Sequence, residues 1–190
     1  MLHSPHGAAH RAAINAEISP PPLEVMIRTF RDDDFDDVRN LYHAGLLTDS
    51  VNPPDPLINT SSLREHYLTR AQDQFWVAEA HGKVIACIAL TESSDRVGHV
   101  RRLRVDHEWL EWHDGDVVRM LIARAAEHAR LHEQLKLVMH TPVHDERAVA
   151  FLHKMGFEFA RIRDRDGKHL IEFYLNIYDA SVPRHRSKPS

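Results

Sequence analysis

Residues 75–90 have the sequence FWVAEAHGKVIACIAL, in which two apolar runs are separated by His81-Gly82. A two-residue connection that contains glycine predicts a tight β-hairpin here, since glycine supplies the positive φ that such turns require. A turn from Glu92 to Arg96 leads to a third run, Val97 to Val105. The pattern therefore predicts a three-stranded antiparallel meander.

The segment before the meander predicts a strand and two helices. Val25 to Phe30 has the pattern of a strand, and Asp33 or Asp34 offers an N-cap for the helix that follows. The apolar residues of that helix lie on one face: Phe35, Val38, Leu41, Tyr42 and Leu46. The proline-containing stretch Thr48 to Thr60 predicts a long loop, after which Ser61 or Ser62 caps a short helix ending near Arg70.

After the meander the pattern predicts alternating helices and strands. The predicted elements are a helix from about Gly115 to Gln134, a strand from Leu135 to Thr141, a helix from Asp145 to Met155 that ends at Gly156, and a hairpin of Phe157–Arg163 with His169–Tyr178 around Asp166-Gly167. The order is βααβββαβαββ. It predicts an α/β fold, more narrowly an α+β fold with a mixed sheet. The twisted sheet is expected at the centre, with helices on both of its faces.

Length and charge restrict the function classes. A chain of 190 residues predicts one domain, residues 24–180, with a disordered leader over 1–23 and a disordered tail over 181–190. The net charge of -4 and the pI near 6.5, with acids and bases interspersed, give no basic field for nucleic acid or anionic lipid. We therefore expect a small molecule or a protein as the partner.

The single cysteine and the hydropathy indicate the compartment. Cys87 lies in the apolar run Val84 to Leu90, where it predicts a buried small hydrophobe rather than a disulfide partner. No apolar stretch approaches the roughly 20 residues that span a bilayer, and the N-terminus lacks the apolar core of a signal peptide. These features predict a cytoplasmic protein.

Three stretches resemble the GNAT superfamily of N-acetyltransferases. Residues 75–86, FWVAEAHGKVIA, resemble its second and third strands, and residues 100–106, VRRLRVD, resemble its fourth strand leading into the cofactor loop. Residues 145–157, DERAVAFLHKMGF, are similar to its N-x-x-A-x-x-L-Y-x-K-x-G-F helix and turn. Over residues 26–178 the resemblance implies transfer of an acyl group from acetyl-CoA to an amine.

In that family the fourth and fifth strands splay apart and the acyl-pantetheine arm lies in the gap. The resemblance implies that the backbone of Leu103, Arg104 and Val105 holds the arm, while the side chains of Leu103 and Val105 face the core. The gap is then expected between this segment and Leu137 to Thr141.

The family's pyrophosphate loop, R/Q-x-x-G-x-G/A, is altered in this chain. The aligned residues are His113, Asp114, Gly115, Asp116, Val117 and Val118. The side chain of Asp116 narrows the approach to the helix N-terminus, and its carboxylate repels phosphate. Alternatively, Asp114 and Asp116 serve only as capping groups. His113 and Arg119 restore positive charge, and Trp109 and Trp112 either stack on a nucleotide or pack in the core.

His99 is the candidate general base. Some family members place Glu or His four residues before the Leu of L-x-V, and His99 has that position. An imidazole with a pKa near 6.5 is suited to accept a proton at neutral pH. The alternative is an ordinary strand histidine in a chain that contains 16 of them.

Two further family positions are substituted. Leu152 stands where many members have a Tyr that protonates the thiolate, which leaves Tyr174 or Tyr178 as substitutes, although strand alternation predicts one of them to be a core aromatic. The thiolate of CoA can also leave without an acid. Asp145 stands where the family has an Asn that touches the cofactor, and it also suits an N-cap.

The acceptor is expected between the 48–60 loop and the final hairpin. Asp49 and Asp55 in that loop favour a cationic acceptor, and a small-molecule amine or a peptide amine both fit. The resemblance also implies a possible homodimer. The rival hypothesis is a non-catalytic GNAT-like module whose degenerate CoA site serves ligand sensing or protein association.

Other charged clusters do not predict a metal. His128 and His132 are four residues apart on one helix face, a geometry that can bind a divalent ion, but the pair lacks the H-E-x-x-H form and a third ligand. No metal site is therefore expected.

Overall fold

The computed structural model describes residues 24–43, 59–93, 95–165 and 167–179. The predicted leader, the predicted tail and most of the 48–60 loop, including Asp49 and Asp55, lie outside the described residues. Leu46 and Asp166 do so as well.

The described residues form seven strands and five α-helices. The strands are β1 (Met26–Thr29), β2 (Gln74–Ala80), β3 (Lys83–Glu92), β4 (Val97–Val105), β5 (Lys136–Pro142), β6 (Glu158–Arg165) and β7 (Lys168–Leu175). The helices are α1 (Phe35–His43), α2 (Thr60–Tyr67), α3 (His107–Trp112), α4 (Asp116–Leu131) and α5 (Glu146–Lys154). Apart from α3, this is the predicted order of elements.

The strands form one sheet in the order β1-β2-β3-β4-β5-β7-β6. Neighbouring strands are antiparallel except β4 and β5, which are parallel. This confirms the predicted mixed sheet. The connection from β4 to its parallel neighbour contains α3 and α4, as such a crossover requires.

Helices cover both faces of the sheet, as predicted. On one face α4 buries Val118, Leu121 and Ala125 against strand residues such as Ile88 and Leu103. On the other face α1 and α2 bury a second set: Val38, Leu41, Tyr42, Leu63 and Tyr67, against Phe75, Val77 and Cys87. Successive residues of a strand point to opposite faces, so β4 carries one set of side chains toward each layer.

The turn predictions at glycine are confirmed at two positions. His81 and Gly82 have φ of 51° and 74°, the left-handed pair of a tight hairpin. Gly156 has a φ of 87° and follows α5, where it terminates the helix as predicted.

Two predicted N-caps are wrong, and one helix was missed. Asp34 does not cap α1; a 3-10 turn, Asp32–Asp34, precedes that helix, and the Asp34 carboxylate accepts hydrogen bonds from the Arg28 guanidinium at 2.7 Å. The cap of α2 is Asn59, whose Oδ1 accepts from the Ser62 N–H at 2.8 Å. Helix α3 begins after Asp106, whose carboxylate accepts hydrogen bonds from the backbone N–H groups of Glu108 and Trp109.

Candidate functional site

Strands β4 and β5 are paired at one end and separate at the other. Their register joins Val97 to Lys136, Gly98 to Leu137 and His99 to Val138. Beyond His99, β4 continues to Val105 and β5 continues to Pro142. In the ranges that the structure describes, no pairing joins these later residues, and we call the opening between the two strands the notch.

A β-bulge in β4 explains the notch. Cys87 of β3 pairs with Arg104 and Ala89 pairs with Arg101, so β4 has one residue more than β3 between these two pairs. The extra residue is accommodated by Arg102, whose φ of 56° is left-handed. A bulge bends its own strand, and β4 therefore follows β3 away from β5.

Strand β5 keeps its other neighbour along the whole notch. Its pairing with β7 runs from Leu137–Leu175 to Pro142–Leu170 without interruption. Each wall of the notch is thus held by an outer strand, and the gap does not depend on loop conformation.

The segment Leu103–Val105 forms the β4 wall of the notch. Leu103 and Val105 are buried in the core beneath α4, as predicted. Arg104 points to the opposite face, where its guanidinium carbon lies 4.8 Å from the centroid of the Tyr42 ring and Nη1 donates to the Leu103 carbonyl at 2.7 Å. On the backbone edge that faces β5, the Leu103 carbonyl thus already accepts one hydrogen bond, and in the described ranges no β5 residue pairs with this segment.

The loop before α4 has the backbone of an anion site. Asp114 and Gly115 are left-handed, with φ of 47° and 82°. Gly115 is the N-cap, and among the described residues no side chain accepts a hydrogen bond from this helix end. The N–H groups of Val117 and Val118, at the second and third helical positions, have no partner within the helix, and both residues are fully buried.

The two carboxylates of this loop are both paired with cations. Asp116 Oδ1 lies 2.5 Å from Arg119 Nη1, and Arg119 Nη1 also donates to the Asp114 carbonyl at 3.1 Å. The Asp114 carboxylate accepts from Lys154 Nζ, and this contact lowers the pKa of Asp114. Arg119 was predicted to restore positive charge, whereas Lys154 was not predicted. The two pairs leave the loop near neutral.

One aromatic side chain near the loop, that of Trp109, belongs to the core. Trp109 is buried and its ring stacks on His113, with centroids 5.1 Å apart. His113 Nε2 is buried and has no hydrogen-bond partner among the described residues. The Trp112 side chain lies outside the described residues, so stacking on a nucleotide stays a prediction for that residue alone.

His99 stands at the closed end of the notch. It belongs to the last residue pair of β4 and β5, and its side chain lies on the sheet face that carries α1 and α2. Burial, followed by the charge of Arg101, lowers the pKa of His99 below 6.5. A neutral imidazole at pH 7 suits the predicted role of a base.

Next to His99 lies a group of residues that the sequence did not single out. The ring of His140 is parallel to that of His99, with centroids 6.0 Å apart. His140 Nε2 lies 3.2 Å from the carboxylate of Glu172, which is also held by Arg161 at 3.0 Å and Arg163 at 2.5 Å. Glu172 is a charged residue in an alternating strand, and only the pairing of β5 with β7 brings it to His140.

The candidate acids do not lie at the notch. Leu152 is buried. Tyr174 pairs with Val138, the β5 residue that also pairs with His99, so it is level with the closed end of the notch and not with its open part. Its hydroxyl donates to the Glu158 carboxylate. Tyr178 is 58 % exposed and donates to the Gln134 carbonyl at 3.0 Å. The prediction that one of the two tyrosines is a core aromatic is therefore wrong.

Asp145 caps α5. Its Oδ1 accepts from the Ala148 N–H at 3.0 Å. The capping role weighed at this position is thus present, while contact with a cofactor stays a prediction.

The rings of His128, on α4, and His132, at the C-terminal cap of this helix, lie close together. Their centroids are 4.5 Å apart and their planes are tilted by 47°. Across residues 24–43, 59–93, 95–165 and 167–179 no three His, Cys, Asp or Glu side chains are grouped as metal ligands. Within these same ranges no helix combines the length and the apolar composition that crossing a membrane requires.

Comparison with known proteins agrees with the geometry. The family model described as "Acetyltransferase (GNAT) family" matches residues 35–157, which include the notch and the loop before α4. No curated protein matches this chain.

Several solved structures share the fold at low sequence identity. A GNAT-family acetyltransferase from Staphylococcus aureus has a TM-score of 0.64 and 14 % identity, over 80 % of this chain and 99 % of that one. An acetyltransferase from Streptococcus agalactiae has a TM-score of 0.64 and 17 % identity, and the match covers 80 % of this chain and 98 % of that one. A spermidine N-acetyltransferase variant from Vibrio cholerae has a TM-score of 0.59 and 16 % identity, and the match covers 80 % of this chain and 94 % of that one.

Proposed function

This chain belongs to the GNAT acetyltransferase family, and on that premise we propose that it transfers an acyl group from acetyl-CoA to an amine. The observation that supports this most is the notch. Strands β4 and β5 pair only up to His99 and Val138, although both strands run on. An extended thioester arm can then lie between the two free strand edges and bind their backbone groups.

The residues at the loop support binding of the phosphate end. The N-terminus of α4 is the positive end of the helix dipole, which favours an anion, and a phosphate reaches the buried N–H groups of Val117 and Val118 only when the residues covering them move. The carboxylates of Asp114 and Asp116 oppose an anion, but Lys154 and Arg119 offset them. We infer that the loop binds CoA, and that it does so less tightly than a loop without these carboxylates.

We assign the general base to His99. An amine of pKa about 10.4 is almost entirely protonated at pH 7, so a nearby base is required to generate the nucleophile. His99 is neutral because burial lowers its pKa, and it stands where the notch begins. When bound, acetyl-CoA supplies an activated carbonyl, and a backbone N–H of β4 is placed to polarise that carbonyl.

The acceptor is assigned only as a class. The Vibrio cholerae relative is a spermidine N-acetyltransferase, which is a small-amine enzyme. At 16 % identity the likeness does not extend to the choice of amine. We propose a small-molecule or peptide amine.

Assembly as a homodimer rests on family resemblance, and a cytoplasmic location rests on the single buried cysteine and the hydropathy of the sequence. Size-exclusion chromatography with light scattering tests the first, and a mass equal to one chain would contradict it.

The proposal is tested by calorimetry and by thiol release. We expect acetyl-CoA to bind the purified protein with a Kd below millimolar, and we expect free thiol to appear when an accepted amine from a panel is added. His99→Ala should lower turnover and leave the acetyl-CoA Kd unchanged. His153→Ala, on the exposed side of α5, is the matched control and should leave turnover unchanged.

A non-catalytic module is the second candidate, and two observations favour it. Leu152 occupies the position of the family's acid, and Asp116 lies at the first position of α4. Absence of acetyl-CoA binding at millimolar concentration would support this candidate and refute the first.

A further inference from the structure

A second imidazole stands at the mouth of the notch. Val138 is the last residue of β5 that pairs with β4, and His140 follows it by two positions. Residues two apart in a strand share a face. His140 is therefore the first residue on the His99 side of the sheet after the two strands separate, and one imidazole projects from each wall.

Glu172 holds His140 from the neighbouring strand. The two residues are direct cross-strand partners between β5 and β7, and Glu172 Oε2 lies 3.2 Å from His140 Nε2. The Glu172 side chain is only 6 % exposed, and Arg161 and Arg163 contact the same carboxylate from β6. A buried carboxylate with three donors has a fixed position.

The contact with Glu172 assigns the proton on His140. An ionised carboxylate only accepts hydrogen bonds, so His140 Nε2 carries the hydrogen and Nδ1 carries the lone pair. Burial alone would raise the pKa of Glu172, but Arg161 and Arg163 outweigh it and keep the carboxylate ionised.

The same environment keeps His140 neutral. Burial lowers the pKa of His140, and the hydrogen bond to Glu172 offsets this only in part. The charged and titratable groups around the ring are His99 and Arg101 on β4, Glu172 on β7, and Arg161 and Arg163 on β6. His140 is thus a neutral imidazole that carries its hydrogen on Nε2, and its lone-pair nitrogen, Nδ1, is not the atom that contacts Glu172.

His99 has no comparable support. Its Nδ1 is buried and has no hydrogen-bond partner in the described part of the chain. The two parallel rings, with centroids 6.0 Å apart, also disfavour simultaneous protonation, since the charge of a protonated His140 lowers the pKa of His99. The pair can therefore take up only one proton at a time, and of the two rings only His140 contacts a carboxylate that stabilises the imidazolium.

We propose that His140 is a second catalytic base beside His99, that this pair takes up the one proton of the acceptor amine with the charge resting on His140, and that Glu172 is the positioning residue that directs the His140 lone pair. The inference rests on the proposed acetyl transfer and divides between two imidazoles the role of base assigned above to His99. The acceptor ammonium gives one proton to this pair and becomes the nucleophile. Its nitrogen then forms the C–N bond as the C–S bond breaks, and the second N–H proton passes to the departing thiolate.

The protonation state is tested first, on the free protein. A long-range ¹H–¹⁵N NMR spectrum of the histidine rings at pH 7 should show His140 neutral with hydrogen on Nε2, and Glu172→Gln should change this pattern. A protonated ring, or hydrogen on Nδ1, would overturn the inference without any assay of activity.

Kinetics test the catalytic role. His140→Gln should lower kcat at least about tenfold, which is below the usual contribution of a general base, and leave the acetyl-CoA Kd unchanged. Glu172→Gln should lower kcat less and move the acidic limb of the pH profile. His153→Gln, an exposed histidine of α5, is the matched control.

The outcomes separate this inference from the proposed function. A wild-type protein that neither binds acetyl-CoA nor releases thiol refutes both. A wild-type protein that turns over, with His140→Gln equally active and an unchanged pH profile, refutes only the role of His140. If His140→Gln does not fold, the same measurements on His140→Asn decide the question.

Discussion

Replacing Asp116 by Asn tests how the carboxylates of the loop before α4 affect the phosphate binding proposed for it. Asp116 is the first residue of α4, and its carboxylate lies 2.5 Å from Arg119. The substitution removes a negative charge beside the N-terminus of α4. It also releases Arg119, which can then contact an anion directly.

The expected gain follows from the exposure of the group. Two unit charges 4 Å apart interact by about 1 kcal/mol in water and by about 4 kcal/mol at an effective dielectric constant of 20. The Asp116 side chain is 52 % exposed and already paired, so the lower value applies. Because about 1.4 kcal/mol corresponds to tenfold in affinity, the acetyl-CoA Kd should fall about fivefold.

Isothermal titration in low salt provides the assay, and the gain should shrink at high ionic strength. Asp36→Asn is a close control, since Asp36 lies in the first turn of α1 and pairs with Arg39 at the same i,i+3 spacing. An unchanged or weaker affinity in Asp116→Asn would refute the view that this carboxylate opposes CoA.

Three further predictions concern the cap, the pH profile and the closed end of the notch. Asp145→Ala should cost about 1 kcal/mol of stability through loss of the N-cap, with an unchanged acetyl-CoA Kd; weakened binding instead would show that Asp145 contacts the cofactor. Burial lowers the pKa of both His99 and His140. Because a base acts in its neutral form, kcat/KM should fall only when the pH drops below 6.5. A midpoint of this fall at or above pH 6.5 would contradict the prediction. Gly98→Ala places a Cβ 2.3 Å from Gln134 Oε1 and 2.8 Å from Leu137 Cδ2. The free energy of unfolding, measured in urea, should therefore fall by about 1–3 kcal/mol. An unchanged free energy of unfolding would mean that the Gln134 side chain moves aside without cost.

The sequence predicted the elements whose signals are local. The hairpin at His81-Gly82 and the helix end at Gly156 depend on residues that are adjacent in the chain, and both are found. The meander was predicted from apolar runs of strand length, and its third strand, Val97–Val105, has the predicted bounds. Helix α3 was missed because its 6 residues are too few to show a helical period.

The parts of the site that depend on pairing between distant strands were not predictable from one sequence. Glu172 and His140 are 32 positions apart and meet only through the register of β5 and β7. Lys154 reaches Asp114 across 40 positions. A charge in an alternating strand indicates a polar face, but it does not say which side chain lies opposite.

The central claim is that the notch between β4 and β5 holds an acyl-pantetheine arm. Backbone amide NMR during titration with acetyl-CoA tests it most directly. We expect the largest shifts at the amides of Leu103, Arg104 and Val105, together with those of the β5 residues 139–141 across the notch. Binding that leaves these amides unshifted, or shifts confined to other parts of the sheet, would contradict the account.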